Sequence, residues 1–311
     1  MYGNLSIFTG NANPELAKEI CDHLKVPLGQ AQVMEFSNEN IFIRIKETVR
    51  EQDVFVVQSL STPVNHSIME LLIMIDALKR ASAARITAVV PYYAYGRTDK
   101  KDQPRVPITA RLLADIITAA GANRVLTMDL HAGQIQGFFS IPVDELSALR
   151  LLTDYFIAKQ LGDIVVVSPD LGSAKKARNF AEHLHAPLAI IEKRRMAAET
   201  DVLNVIGNVD NRQVIIVDDE IDTAGSVMSA ITALQALGAT EFYTCCTHPI
   251  LSGPAIERLR EAPIKEFVAT NTVPLPPHKR LGNMTILSVA PLLGEAIRRI
   301  HTGGSVGQLF R

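Results

Sequence analysis

QVIIVDDEIDTAGSVM, residues 213–228, is the stretch from which the fold is read. Val214, Ile215, Ile216 and Val217 form the unbroken, largely β-branched apolar run that a strand covered on both faces of a parallel sheet requires. Asp218 and Asp219 end that run. Asp222-Thr223-Ala224-Gly225-Ser226 follows, then the helical spacing Val227, Ile231, Leu234 and Leu237, which stops at Gly238. Strand, small-residue turn and helix in this order place the turn on the carboxy edge of an α/β sheet, where ligands bind. Thr223 to Ser226 brings small side chains, two hydroxyls and backbone N–H groups to a helix start, which suits a phosphate. The carboxylates of Asp218 and Asp219 cannot bind that phosphate directly. They can accept hydrogen bonds from vicinal sugar hydroxyls, or help hold a divalent cation. Hydroxyls next to a phosphate describe a ribose 5-phosphate.

Outward from this stretch, strands and helices alternate along the whole chain. Strands are expected at residues 5–9, 54–58, 85–90, 125–128, 164–167, 188–191, 242–246, 266–269 and 285–288, with a pair at 32–36 and 41–45 around a polar turn. Helical runs lie between them, among them 68–78, which ends in Lys79-Arg80 as a helix C-terminus prefers. Such alternation predicts an α/β protein of two similar domains, each a mainly parallel sheet flanked by helices. The expected division is 1–145 and 146–311, with the boundary in 142–146 and the last helix packing back on the first domain. Residues 123–129 faintly echo 211–218, which supports two related halves. Residues 92–107 carry no apolar periodicity and read as a long mobile loop, with Arg97, Lys100, Lys101 and Arg105 set against Asp99 and Asp102.

Composition narrows the function. A chain of 311 residues can build two cores, and 47% hydrophobic with 21% charged residues is ordinary globular content. A net charge of −2 lacks the basic footprint of a nucleic-acid binder. No apolar run reaches membrane length. The three cysteines, two of them adjacent, give neither a disulfide framework nor a spaced metal motif, and read as reduced core residues of a cytoplasmic protein.

Further chemistry gathers at other strand ends. Asp129-Leu130-His131 follows one buried strand, and Ser168-Pro169-Asp170-Leu171-Gly172-Ser173 follows another with a Gly-containing turn able to offer N–H groups to an anion. His131 and Asp170 could therefore face one cleft, although nitrogen is an unusual magnesium ligand. Lys193-Arg194-Arg195 supplies the positive charge that a transferring phosphoryl group requires, and no P-loop lysine motif occurs.

The acidic stretch and its loop resemble the phosphoribosyl-binding signature of the type I phosphoribosyltransferase superfamily. Over the full length, the chain is similar to the ribose-phosphate diphosphokinase family. That resemblance runs through Phe36-Ser37-Asn38, Pro91 to Arg97, Asp129 to Ala132, Gln134 to Phe139, Ser168-Pro169-Asp170, Lys193 to Arg195, the Asp218 to Ser226 loop, Thr247-His248-Pro249 and Glu295 to Arg299. It implies magnesium-dependent transfer of the β,γ-diphosphoryl group of ATP to the C1 hydroxyl of ribose 5-phosphate, with release of AMP. It also implies that His131 and Asp170 engage the magnesium ion, and that Asp170, Leu171, Gly172 and Ser173 line the diphosphate site. Asp218 and Asp219 would hold the ribose hydroxyls, and Asp222, Thr223, Ala224, Gly225 and Ser226 the 5-phosphate. Lys193 and Arg195 would be catalytic residues on a flexible loop. ATP would meet Arg97 and Thr98, with Phe36, Asn38 and Asn40 at the adenine from a neighbouring subunit of a homo-oligomer, commonly a hexamer. Three positions depart from the family pattern: Asn40 replaces an acidic residue, Thr98 a glutamine, and Ser173 the second of two glycines. The alternatives are a phosphoribosyltransferase that consumes the product and a non-catalytic regulatory homologue.

Overall fold

The computed structural model describes residues 3–195 and 201–310, with the backbone alone at 193–195, 201–203 and 310. The chain divides into two compact units. The first comprises Met1–Ser147, Thr272–Pro274 and Ser288–Arg311, and the second Ala148–Asn271 and Leu275–Leu287.

In the first unit, β1 (Leu5–Thr9), α1 (Pro14–Leu24), β2 (Ala31–Glu35), β3 (Ile41–Ile45), β4 (Asp53–Val57), α2 (Val64–Arg80), β5 (Arg85–Val90), α3 (Thr109–Ala120), β6 (Arg124–Met128) and β7 (Val143–Leu146) follow one another. Five strands make one parallel sheet in the order β1-β4-β5-β6-β7. β4 is buried at every position, so its DVFVV sequence has no solvent face to alternate with. Helices α2 and α3 cover the sheet with Leu71, Met74, Ile75, Leu78, Leu113 and Ile117. β2 and β3 form a separate antiparallel hairpin whose inward residues Val33, Ile43 and Ile45 rest on the same core. Residues 143–146, expected at a domain boundary, are thus an edge strand of this sheet.

The second unit carries α4 (Leu149–Lys159), β8 (Ile164–Ser168), α5 (Ala174–His183), β9 (Leu188–Arg195), β10 (Asp201–Ile206), β11 (Gln213–Ile221), α6 (Gly225–Ala236), β12 (Glu241–Pro249), α7 (Ala255–Glu261), β13 (Ile264–Thr270) and β14 (Met284–Leu287). Its seven strands run in the order β10-β9-β8-β11-β12-β13-β14, all pairs parallel except β9 with β10. From β8 the chain goes first to β9 on one side, then crosses back to β11 on the other. The crevice between the carboxy ends of β8 and β11 is therefore a topological switch point, the place where open α/β sheets bind ligands.

The final helix, α8 (Ala290–Thr302), belongs to the first unit and lies along α1. One buried carboxylate fastens it. Asp53, fully buried at the start of β4, receives Arg85 Nε at 2.7 Å and Arg85 Nη2 at 2.5 Å, and His301 Nδ1 lies 2.9 Å away. Arg85 Nη2 also donates to the Ile300 carbonyl at 2.9 Å. The buried charge is thereby both paired and hydrogen-bonded, the condition for keeping an ion out of water.

Candidate functional site

In the second unit, the site grows from the ends of β8 and β11. β8 stops at Ser168, whose hydroxyl donates to the Asp170 carbonyl at 2.7 Å and bends the chain. The Ser173 N–H donates to Asp170 Oδ1 at 2.8 Å, closing a tight turn in front of α5. Ser173, buried, then reaches across to β11, where its hydroxyl donates to Asp218 Oδ1 at 2.8 Å. The same oxygen accepts the Asp219 N–H at 2.9 Å. Asp219 is 4% exposed, with Lys176 Nζ 3.3 Å from its Oδ2. The serine that departs from the family pattern is thus the link between the two loops.

Crowding has an electrostatic consequence. Burial of its carboxyl, then the charge and hydrogen bond of Asp219, push the Asp218 pKa up to about 8; the Ser173 hydroxyl opposes the rise and Asp170 adds to it. Acidic side chains held this close favour a cation or hydroxyl donors between them.

After Ile221 the chain turns through Asp222 and Thr223 to Ala224, which takes a left-handed φ of 58° and caps α6. Segment 250–258 clamps this turn. Ile250 and Leu251 N–H groups donate to the Ile221 carbonyl, Ser252 N–H to the Asp222 carbonyl and Ser252 Oγ to Asp222 Oδ1. Arg258 Nη1 donates to the Thr223 carbonyl at 2.9 Å. Gly225 and Ser226 are the first two residues of α6. Gly172 and Leu171, at the neighbouring turn, are exposed.

Lys193 and Arg195 are the exception among the expected residues. Their backbone is the end of β9, paired with β10 in the register Lys193↔Leu203 and Arg195↔Asp201, rather than a loop. Their side chains lie outside the described residues. β10 escaped the sequence reading, although Val202, Leu203, Val205 and Ile206 supply the apolar, β-branched content that an edge strand uses.

In the first unit, residues 92–99 are tied to their surroundings by hydrogen bonds. The Tyr93 hydroxyl donates to the Ala110 carbonyl at 2.9 Å, and Tyr95 OH to Asn65 Oδ1 at 2.7 Å. Thr98 bonds the Tyr95 carbonyl through both Oγ1, at 2.7 Å, and its N–H, at 2.9 Å. A Cβ at Gly96 would sit 3.1 Å from His131 Cβ, so glycine there lets this segment meet the turn after β6. Arg97 and His131 are both exposed on these neighbouring turns. Asp129 accepts the Ser147 hydroxyl at 2.7 Å, and Glu145 Oε1 the Leu130 N–H at 2.9 Å. A cavity of about 490 Å³ opens here, lined by Asp129, Gln136, Asp144, Glu145 and Ser147 among others. Phe36, Asn38 and Asn40 occupy the exposed tip of the β2–β3 hairpin. The tip is closed by Phe36 N–H to the Asn40 carbonyl at 2.9 Å and Asn40 N–H to Asn38 Oδ1 at 3.3 Å.

Two family profiles match the chain: the N-terminal domain of ribose phosphate pyrophosphokinase over residues 5–121, and the phosphoribosyl synthetase-associated domain over residues 193–311. The chain is 59% identical to the ribose-phosphate pyrophosphokinase of Caldanaerobacter subterraneus, over 99% of this chain and 98% of that one. It is 55% identical to that of Clostridium perfringens at the same coverage. The chain belongs to the ribose-phosphate pyrophosphokinase family. A crystal structure of phosphoribosylpyrophosphate synthetase from Mycobacterium smegmatis superposes with a TM-score of 0.92 at 45% identity, covering 97% of this chain and all of that one. The two-sheet phosphoribosyltransferase-like α/β fold expected from the sequence is therefore present. The activity is the family's, formation of phosphoribosyl pyrophosphate from ribose 5-phosphate and ATP, a diphosphoryl transfer.

Within this ribose-phosphate pyrophosphokinase fold, several supporting residues had no sequence signal. Lys176, Ser252 and Arg258 reach the acidic loop from α5, the β12–α7 turn and α7, and only tertiary contact reveals them. Glu70, 1% exposed on α2, is another. Its carboxylate accepts Asn11 N–H, Asn11 Nδ2 and Gln58 Nε2 at 2.7–2.8 Å, fixing the turn after β1.

Proposed function

We propose that the β8–β11 crevice is the ribose 5-phosphate and diphosphate site. Asp218 and Asp219 would take the vicinal hydroxyls of ribose, residues 222–226 its 5-phosphate, and Asp170, Leu171, Gly172 and Ser173 the diphosphoryl group. The observation that carries this reading is the Ser173–Asp218 hydrogen bond, which joins the two loops at the switch point. ATP would contact Arg97 and Thr98, and its adenine the hairpin tip with Phe36, Asn38 and Asn40 of a neighbouring copy in a homo-oligomer, commonly a hexamer. AMP would be the second product, and the cytoplasm the location.

Magnesium is the cation we assign, and the oxygen-rich donor set suits it. Asp170 keeps one carboxylate oxygen clear of its bond to Ser173, and His131 is exposed but a weak partner by ligand type. Among the described residues no group of three or more metal-ligating side chains is gathered, so phosphate and water would complete the shell. When bound, the ion would neutralise charge on the phosphates. The chain's own residues would hold the C1 hydroxyl in line with the β-phosphorus, and Lys193 and Arg195 would stabilise the charge on the transferring group.

The test is AMP formation from ATP and ribose 5-phosphate without any acceptor base. Lys193→Ala is expected to lower turnover by ~10²–10³ with little change in KM for either substrate. Near-normal turnover in that variant would remove Lys193 from the mechanism.

A further inference from the structure

Arg258 stands beside the turn that carries the proposed 5-phosphate site and bonds its backbone. Among the described residues its guanidinium pairs with no carboxylate, although Glu257 and Glu261 are its neighbours on α7. It spends one N–H instead on the Thr223 carbonyl, at 2.9 Å. A Cβ placed at Gly225 would lie 3.5 Å from the same Nη1, an ordinary van der Waals contact, so the guanidinium sits directly against the start of α6.

Peptide planarity converts that single hydrogen bond into a statement about the site. In a trans peptide the carbonyl and the following N–H point in opposite directions. Fixing the Thr223 carbonyl toward Arg258 therefore fixes the Ala224 N–H away from it. Ala224 is also the residue held at φ 58°, a conformation that costs an alanine and needs support from its surroundings. An unneutralised guanidinium behind the peptide also makes the turn more positive, beside a crevice otherwise lined by Asp218, Asp219 and Asp222.

We infer that Arg258 is a positioning residue for the phosphate of ribose 5-phosphate: it orients the Ala224 N–H through the Thr223 carbonyl and offsets the negative charge of the neighbouring aspartates. It does so without touching the substrate. This inference rests on the assignment of residues 222–226 to the 5-phosphate.

The experiment compares Arg258→Met, Arg258→Gln and Arg258→Lys by steady-state AMP formation, with urea unfolding of each to establish that it folds. Arg258→Met is expected to raise KM for ribose 5-phosphate by about 10- to 100-fold, the scale of a charge-assisted hydrogen bond. Turnover and KM for ATP should stay within about threefold on the same scale. Arg258→Lys, which keeps charge and a donor, should recover most of the loss, and Arg258→Gln, which keeps only the donor, should fall between. A ribose 5-phosphate KM unchanged in Arg258→Met overturns the inference. So does an equal loss in the Lys and Met variants, or a parallel rise in the KM for ATP. Thr223→Ala and Ser226→Ala separate the two assignments. If both leave ribose 5-phosphate KM unchanged, the 5-phosphate site itself is misplaced; if they raise it while Arg258→Met does not, only the role of Arg258 fails.

Discussion

Two carboxylates, Asp53 fully buried in the first unit and Asp218 half-buried in the second, are treated in opposite ways. Asp53 sits at the amino end of β4 with both oxygens occupied by Arg85 and with His301 against it. Asp218 sits at the carboxy end of β11, where its nearest charged neighbours are further carboxylates and its pKa is pushed up. The first arrangement minimises the cost of burying a charge. The second leaves that cost standing, and a site with unspent electrostatic demand is one that a ligand can satisfy. One acid serves the fold, and the other is the one we assign to the sugar.

Breaking the Asp53 cluster tests the stability side and carries the largest expected effect. Asp53→Ala leaves the Arg85 guanidinium buried without its partner and should cost about 3–5 kcal/mol in urea unfolding. A loss under about 1 kcal/mol would erase the contrast, because such a loss is typical of surface ion pairs.

Asp218→Asn tests the other side, through pH. The folded-state pKa of Asp218 lies above its ordinary value of 3.8, so the folded chain binds that proton more tightly than the unfolded chain. The resulting stabilisation is complete below about pH 4 and is lost as pH rises through about 8. Relative to the parent, Asp218→Asn should therefore gain stability between pH 5 and pH 9, while its use of ribose 5-phosphate weakens. A stability difference that does not change with pH would contradict the crowding account.

The smallest effect on stability is expected at the hairpin tip. Phe36 is 47% exposed and touches Phe42 with ring centroids 5.8 Å apart. Phe36→Ala should change unfolding free energy by no more than about 0.5 kcal/mol. It should nonetheless raise KM for ATP. The reverse pattern, lost stability with an unchanged KM, would make Phe36 a packing residue and leave the adenine assignment without its aromatic partner.

The acidic stretch was legible because its signals are local. A buried-type run, a pair of acids and a small-residue turn before a helix constrain one another within sixteen residues, whatever lies elsewhere. β10 is hidden in the sequence because Asp201 and Asn204 interrupt its apolar residues, which an edge strand paired on one side tolerates. The hydrogen bonding of residues 92–99 was invisible for another reason. Its anchors are Asn65 and Ala110, and the close approach at Gly96 is to His131, all distant in sequence. Nothing local to Ser173 points to its bond with Asp218, which spans 45 positions.

By itself, then, the sequence determined most of the alternation of strands and helices, short of β7 and β10, and the parallel α/β class, because apolar period and turn chemistry act over a few residues. The tertiary structure alone decided that β8 and β11 become neighbours, that Arg258 meets Thr223, and that Asp53 is paired with an arginine while Asp218 is crowded by other carboxylates. Those outcomes depend on which strands pair across the sheet, and strand pairing joins residues that no local pattern connects.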